Sequence, residues 1–141
     1  MGKRILVSPL SWGLGHATRD LPLIQRFLAD GHEVLIASSG RPLELLRREV
    51  PECRFVELED YPPPYTRSRL FILKFGWYIP RMLRAIRRET AEARELIERE
   101  RCDLVVSDNR FGVCHPDVPS FFISHQLRFS APWFLFPIEL A

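Results

Sequence analysis

A chain of 141 residues has room for one hydrophobic core and excludes two independent domains of ordinary size. Its composition, 46% hydrophobic and 27% charged, is that of a folded globular domain, and a net charge of +2 is too small to argue for nucleic acid. No apolar run approaches the roughly 18 residues needed to cross a bilayer, and Cys53, Cys102 and Cys114 lack C-x-x-C spacing and follow no secretory signal, so they read as reduced thiols of a cytoplasmic protein.

Taken in order, the chain alternates strand and helix. Apolar strands are predicted over Arg4 to Ser8 and Glu33 to Ser38, flanking a helix whose Leu21, Leu23, Ile24, Phe27 and Leu28 recur at helical spacing and which ends at Gly31. Thr18 or Asp20 is expected to cap that helix, with Pro22 in its first turn. A second helix runs from Gly40 to about Glu49, and Arg54 to Leu58 reads as a third strand. The proline run at 62–64, flanked by Tyr61 and Tyr65, breaks regular structure. A long helical region then reaches about Arg101, with a bend or interruption expected near Gly76 and Pro80. Leu104 to Ser107 and Ser120 to Ser124 are the fourth and fifth strands, whose continuous apolar runs predict burial on both faces.

Strands separated by helices with right-handed crossovers make a parallel sheet covered on both sides, and the predicted order is 3-2-1-4-5. In that order strands one and four are neighbours, and the chain winds away from them in opposite directions. A crevice opens beyond their carboxyl ends, where α/β proteins keep their ligands. The stretch Trp12-Gly13-Leu14-Gly15-His16 and the stretch Asp108-Asn109-Arg110 meet there, joined by His125 and Gln126 after strand five. Glycine permits close approach of backbone to ligand, and a helix start offers unpaired N–H groups to an anion. Plainer roles stay open beside these: His16 capping its helix, Asp108 and Asn109 turning a loop, and His125 as a sheet-edge residue. His32 follows a helix-ending glycine and is read as structural; four scattered histidines without matching ligand spacing argue against a metal site.

Gly13-Leu14-Gly15-His16 after strand one, the exit Asp30-Gly31-His32-Glu33-Val34 into strand two, and His125-Gln126 after strand five together resemble the N-terminal domain of GT-B glycosyltransferases. The resemblance is nearest to the group containing the peptidoglycan GlcNAc transferase and the UDP-glucuronosyltransferase-like enzymes, and it covers nearly the whole chain. It implies an acceptor-binding half whose nucleotide-sugar domain would lie C-terminal to it, with a UDP-sugar or other nucleotide sugar as co-substrate and no further cofactor. It also implies His16 as the base that removes the acceptor hydroxyl's proton and Asp108 as the acid that orients it, facing His16. Trp12, Gly13, Leu14, Gly15, Asn109, Arg110, His125 and Gln126 become the expected substrate or phosphate contacts. The sequence departs from the peptidoglycan enzyme in having Trp12 and Leu14 within the glycine turn and Leu127 directly after His125-Gln126, where that enzyme has H-E-Q-N.

Two other readings remain. Arg67, Arg69, Lys74 and Arg81 interleave with Phe71, Phe75, Trp77 and Tyr78 without an acid, a composition that suits an anionic membrane surface or a lipid-like acceptor. Such a half could be a non-catalytic, membrane-associated subunit that recruits a separate donor-binding chain. Nucleic acid is disfavoured by Glu89, Glu92, Glu95, Glu98 and Glu100, which follow at once. A third reading, an NAD(P)-binding Rossmann domain, meets two obstacles. Thr18 stands where G-x-G-x-x-G needs its third glycine, and strand two ends without a ribose-binding acid. The apolar segment from Leu127 to Ile138 either folds back on the sheet or awaits a partner segment beyond Ala141.

Overall fold

The computed structural model describes residues 2–61 and 71–124, the stretch 71–78 by its backbone alone. The elements are β1 (Arg4–Pro9), α1 (Leu14–Ala29), β2 (Glu33–Ser38), α2 (Gly40–Glu49), β3 (Arg54–Glu57), α3 (Phe71–Glu100), β4 (Leu104–Asp108) and β5 (Ser120–Ile123). Every strand pairing is parallel and the sheet order is β3-β2-β1-β4-β5, as the alternation of strands and helices predicts.

Strand alternation divides the apolar runs between two cores. Ile5, Val7, Val34, Ile36 and Val106 point to one face and pack with Ile24 of α1 and Leu43 and Leu46 of α2. Leu6, Leu35, Ala37 and Val105 point to the other and pack with Ala93, Leu96 and Ile97 of α3. Each large aliphatic buried in this way contributes about 1.5–3 kcal/mol. This two-sided covering holds the carboxyl ends of β1 and β4 in register, Ser8 beside Ser107 and Pro9 beside Asp108.

Three local expectations change. Helix α1 begins at Leu14, immediately after Gly13, and no side chain caps it, so Thr18 and Asp20 lie inside the helix and Pro22 lies well beyond the first turn. Because the chain enters the helix four residues earlier than Thr18, His16 sits in the first turn. Helix α3 is continuous through Gly76 and Pro80. A proline removes one hydrogen bond, to the carbonyl four residues back, and here that carbonyl belongs to Gly76, where the backbone has most latitude. The burial expected on both faces holds for β4 but not for β5, where Phe121 is 60% and Phe122 48% exposed. Strand β5 is the last of the sheet among the described residues, so it pairs on one side only.

Candidate functional site

The site is built at the carboxyl ends of β1, β3, β4 and β5, where four connections are tied to one another. Leu10 donates its backbone N–H to the carbonyl of Asp108 at 3.1 Å, and Asn109 donates to the carbonyl of Ile123 at 2.9 Å. Asn109 takes a left-handed φ of 61°, a conformation asparagine tolerates better than most residues, and this turns the chain sharply after Asp108. The Tyr61 hydroxyl donates to the Asn109 carbonyl at 2.8 Å. Burial pushes that phenol up, so it stays a neutral donor. Asp60 accepts from both the backbone N–H and the hydroxyl of Ser11, each at 2.8 Å, and the Trp12 indole N–H donates to the Tyr61 carbonyl at 2.8 Å. Trp12 meets the Tyr61 ring edge-on, and Tyr61, Phe111 and Phe122 stack in turn, with Phe111 and Phe122 exposed.

Within this frame His16 and Asp108 face each other as expected. Nδ1 of His16 lies 2.8 Å from Oδ2 of Asp108, which is fully buried, while the imidazole keeps 13% of its surface exposed. Arg19, one turn along the same helix, donates through Nη2 to both carboxylate oxygens of Asp108, at 2.6 Å to Oδ2. Nη2 also approaches Nδ1 of His16 to 3.0 Å. The contact with the carboxylate is the shorter of the two at Nδ1, 2.8 Å against 3.0 Å. A bare Nδ1 would set a lone pair against that carboxylate, so Nδ1 carries the hydrogen and donates it to Asp108. That tautomer leaves the lone pair on Nε2, the nitrogen suited to accept a proton. Asp108 in turn stabilises the imidazolium that forms, and holds Arg19 charged by hydrogen bonding to it.

Asp20, next along α1, is the fourth member. It is 1% exposed and, among the described residues, its Oδ2 has no hydrogen-bond partner. Burial first, and then the neighbouring Asp108, push its carboxyl up from 3.8 to about 7. Sequence reasoning passed over Arg19 and read Asp20 as a cap. The signal was their spacing, since positions three and four after His16 share its face of a helix.

The other expected contacts are placed as follows. Gly13, Leu14 and Gly15 are exposed, and a Cβ added at either glycine would meet nothing within 4 Å among the described residues, so the turn presents bare backbone outward. Arg110 is a correction. It is wholly buried and its guanidinium donates to Glu89 at 2.7 Å and to the carbonyls of Leu58 at 3.1 Å and Glu59 at 2.9 Å. It braces the floor of the site, and a phosphate cannot reach it. His125, Gln126, Arg67 and Arg69 lie outside the described residues, as do the side chains of Phe71, Lys74, Phe75, Trp77 and Tyr78; Arg81 is exposed on α3. Among the described residues, no group of three or more His, Cys, Asp or Glu is arranged to hold a metal ion, and no helix is long and apolar enough to cross a membrane.

No protein-family model matches the chain, and no curated protein matches its sequence. Solved structures do match its fold. SnogD, a glycosyltransferase from Streptomyces nogalater, aligns with a TM-score of 0.62 at 20% identity, over 88% of this chain and 35% of its own. CalG4, the calicheamicin glycosyltransferase, aligns with a TM-score of 0.64 at 17% identity, over 98% and 34%. The fold matches one half of a GT-B glycosyltransferase. The chain spans about a third of the length of those two enzymes. The C-terminal domain of a hydrogenase from Pyrococcus furiosus aligns as well, with a TM-score of 0.53 at 18% identity over 85% of this chain and 89% of that domain. A glycosyltransferase-like fold is therefore established, and the choice of chemistry rests with the site.

Proposed function

We propose that the chain is the acceptor-binding half of an inverting glycosyltransferase that works with a nucleotide-sugar-binding domain. The observation that carries this reading is the 2.8 Å contact of His16 Nδ1 with buried Asp108, beside an open glycine turn at the carboxyl edge of the sheet. In the reaction the acceptor oxygen attacks the anomeric carbon and its proton passes to Nε2 of His16. The carbon–oxygen bond to the nucleoside diphosphate breaks, and the electron pair leaves on the phosphate. A base positioned in this way is worth ~10² to 10⁴ in rate. The Gly13-Leu14-Gly15-His16 and Asp30-Gly31-His32-Glu33-Val34 patterns support a reading nearest the peptidoglycan GlcNAc transferase and UDP-glucuronosyltransferase-like group.

The test is His16→Ala in the protein joined to its donor-binding domain. Turnover is expected to fall by ~10² or more with donor affinity little changed; unchanged turnover would remove His16 from the mechanism. The chain by itself is expected to hold a UDP-sugar poorly. A helix N-terminus contributes about 1 kcal/mol to anion binding, whereas micromolar affinity needs about 8 kcal/mol.

A second reading, a membrane-associated subunit, draws support from α3. Ile79 and Leu83 are exposed there among exposed Arg81, Arg84, Arg87 and Arg88. Each basic side chain near an anionic bilayer contributes about 1 kcal/mol. Co-sedimentation with phosphatidylserine vesicles that falls as salt rises is the expected result for that reading, and equal recovery with neutral vesicles speaks against it.

A further inference from the structure

We propose that Asp20 is a positioning residue of this site, a neutral carboxylic acid whose hydroxyl donates to Asp108 and thereby fixes that carboxylate against His16 and Arg19. The inference deepens the reading of His16 as a base and rests on it.

Helix α1 sets the geometry. Residues 16, 19 and 20 stand at i, i+3 and i+4, one face of the helix, and that face closes over the end of β4. Asp108 is buried completely, and an ionised carboxylate there has about four acceptor sites to satisfy. Arg19 fills two of them and His16 a third. Asp20, four residues after His16 on that face, is buried with an Oδ2 that no donor reaches among the described residues, and Asp108 is the nearest acid acting on it. If both acids were ionised, neither could donate to the other, and Asp20 would be a buried anion with an orphaned oxygen. One proton between them supplies the missing donor and completes the set around Asp108.

Charge accounting leads to the same state. The charged groups acting on Asp20 are Asp108 on β4 and Arg19 on its own helix; the first opposes its ionisation and the second favours it. Arg19 contacts both oxygens of Asp108 through Nη2. With Asp20 neutral, the guanidinium and Asp108 balance, and the cluster is uncharged until His16 accepts a proton. Two other roles for Asp20 fail on position. It is not a helix cap, because the helix begins six residues earlier. Nor is it half of a cation site, because a guanidinium already occupies both oxygens of Asp108.

The test is NMR on the full chain, reading the Asp20 side-chain carboxyl carbon and the His16 ring nitrogens from pH 5 to pH 9. The Asp20 carbon is expected to titrate near pH 7. Below pH 7, where Asp20 keeps its proton, the Nδ1–H tautomer of neutral His16 is expected to dominate in the wild type and in Asp20→Asn, whose amide still donates. In Asp20→Ala the ratio of Nδ1–H to Nε2–H is expected to drop about fivefold, the equivalent of one ordinary hydrogen bond. An Asp20 carbon ionised throughout the range overturns the proposal, as does an Asp20→Ala protein with the wild-type tautomer ratio. The wild-type titration decides alone if Asp20→Ala does not fold. Neither readout uses sugar transfer. A failed tautomer test therefore leaves His16 as the base, and an unaffected His16→Ala enzyme would remove the base while leaving the Asp20 titration as measured.

Discussion

Asp108 and Arg110 are two residues apart, and each anchors a charged cluster, but the clusters are built on opposite terms. Around Arg110 every nitrogen has a partner: Glu89 takes Nε–H and the charge, the carbonyls of Leu58 and Glu59 after β3 accept from Nη1 and Nη2, and both members of the ion pair are wholly or almost wholly buried. Around Asp108 the balance depends on one proton. Two acids face one guanidinium, an imidazole reaches the surface, and one buried carboxylate oxygen lacks a donor among the described residues. Sequence reading made Asp108 the acid that orients His16 and made Asn109 and Arg110, on the same loop, substrate contacts. The difference between them teaches that a saturated ion pair stiffens a site, whereas an incomplete one beside open backbone marks where protons can move.

The comparison can be broken most forcefully at Arg110. Arg110→Ala leaves Glu89 as an uncompensated buried charge and is expected to cost about 3–5 kcal/mol in chemical denaturation. A loss below about 1 kcal/mol would show that the pair does not brace the floor. Gly112 reports on the same region more gently. A Cβ there would lie 2.6 Å from Glu89 Oε2 and 2.8 Å from the Ile86 carbonyl, so Gly112→Ala is expected to cost about 1–3 kcal/mol.

The Asp108 cluster is expected to reveal itself through pH. Asp20 holds its proton up to about pH 7, while in the unfolded chain it loses it near 3.8. Between those values the native state binds more protons than the unfolded state, so its stability falls as pH rises. Asparagine has no such proton to lose. Asp20→Asn should therefore gain on the wild type by of order 2 kcal/mol between pH 5 and pH 7, with no further gain above. Parallel melting temperatures for the two proteins across that range would show that Asp20 is already ionised. The smallest effect is expected on β5, where Phe121→Ser should change stability by no more than about 0.5 kcal/mol, because that ring is mostly solvent-exposed.

How much of this was legible in the sequence depended on range. Periodicity identified every strand and helix, and the bounds of β2 and α2 agree with the pattern to the residue. Helix caps were less legible. Gly13 precedes α1 without a capping side chain, so nothing in Thr18 or Asp20 could announce the true start. The apolar run of β5 looked buried because hydrophobicity records what a strand can pack against, while its exposure depends on its place, last in the sheet among the described residues.

By itself the sequence determined the parallel sheet, its strand order and the meeting of the connections that carry His16 and Asp108. These follow from hydrophobic periodicity and from the few crossovers that a right-handed chain permits. Only the tertiary structure decided which charges pair. Arg19 was chosen for Asp108 by the turn of α1 that lies over β4, and Arg110 was drawn inward by Glu89 on α3, 21 residues away. The physical reason is that a charge's partner is set by burial and distance in three dimensions, and neither is encoded in the local pattern of polar and apolar residues.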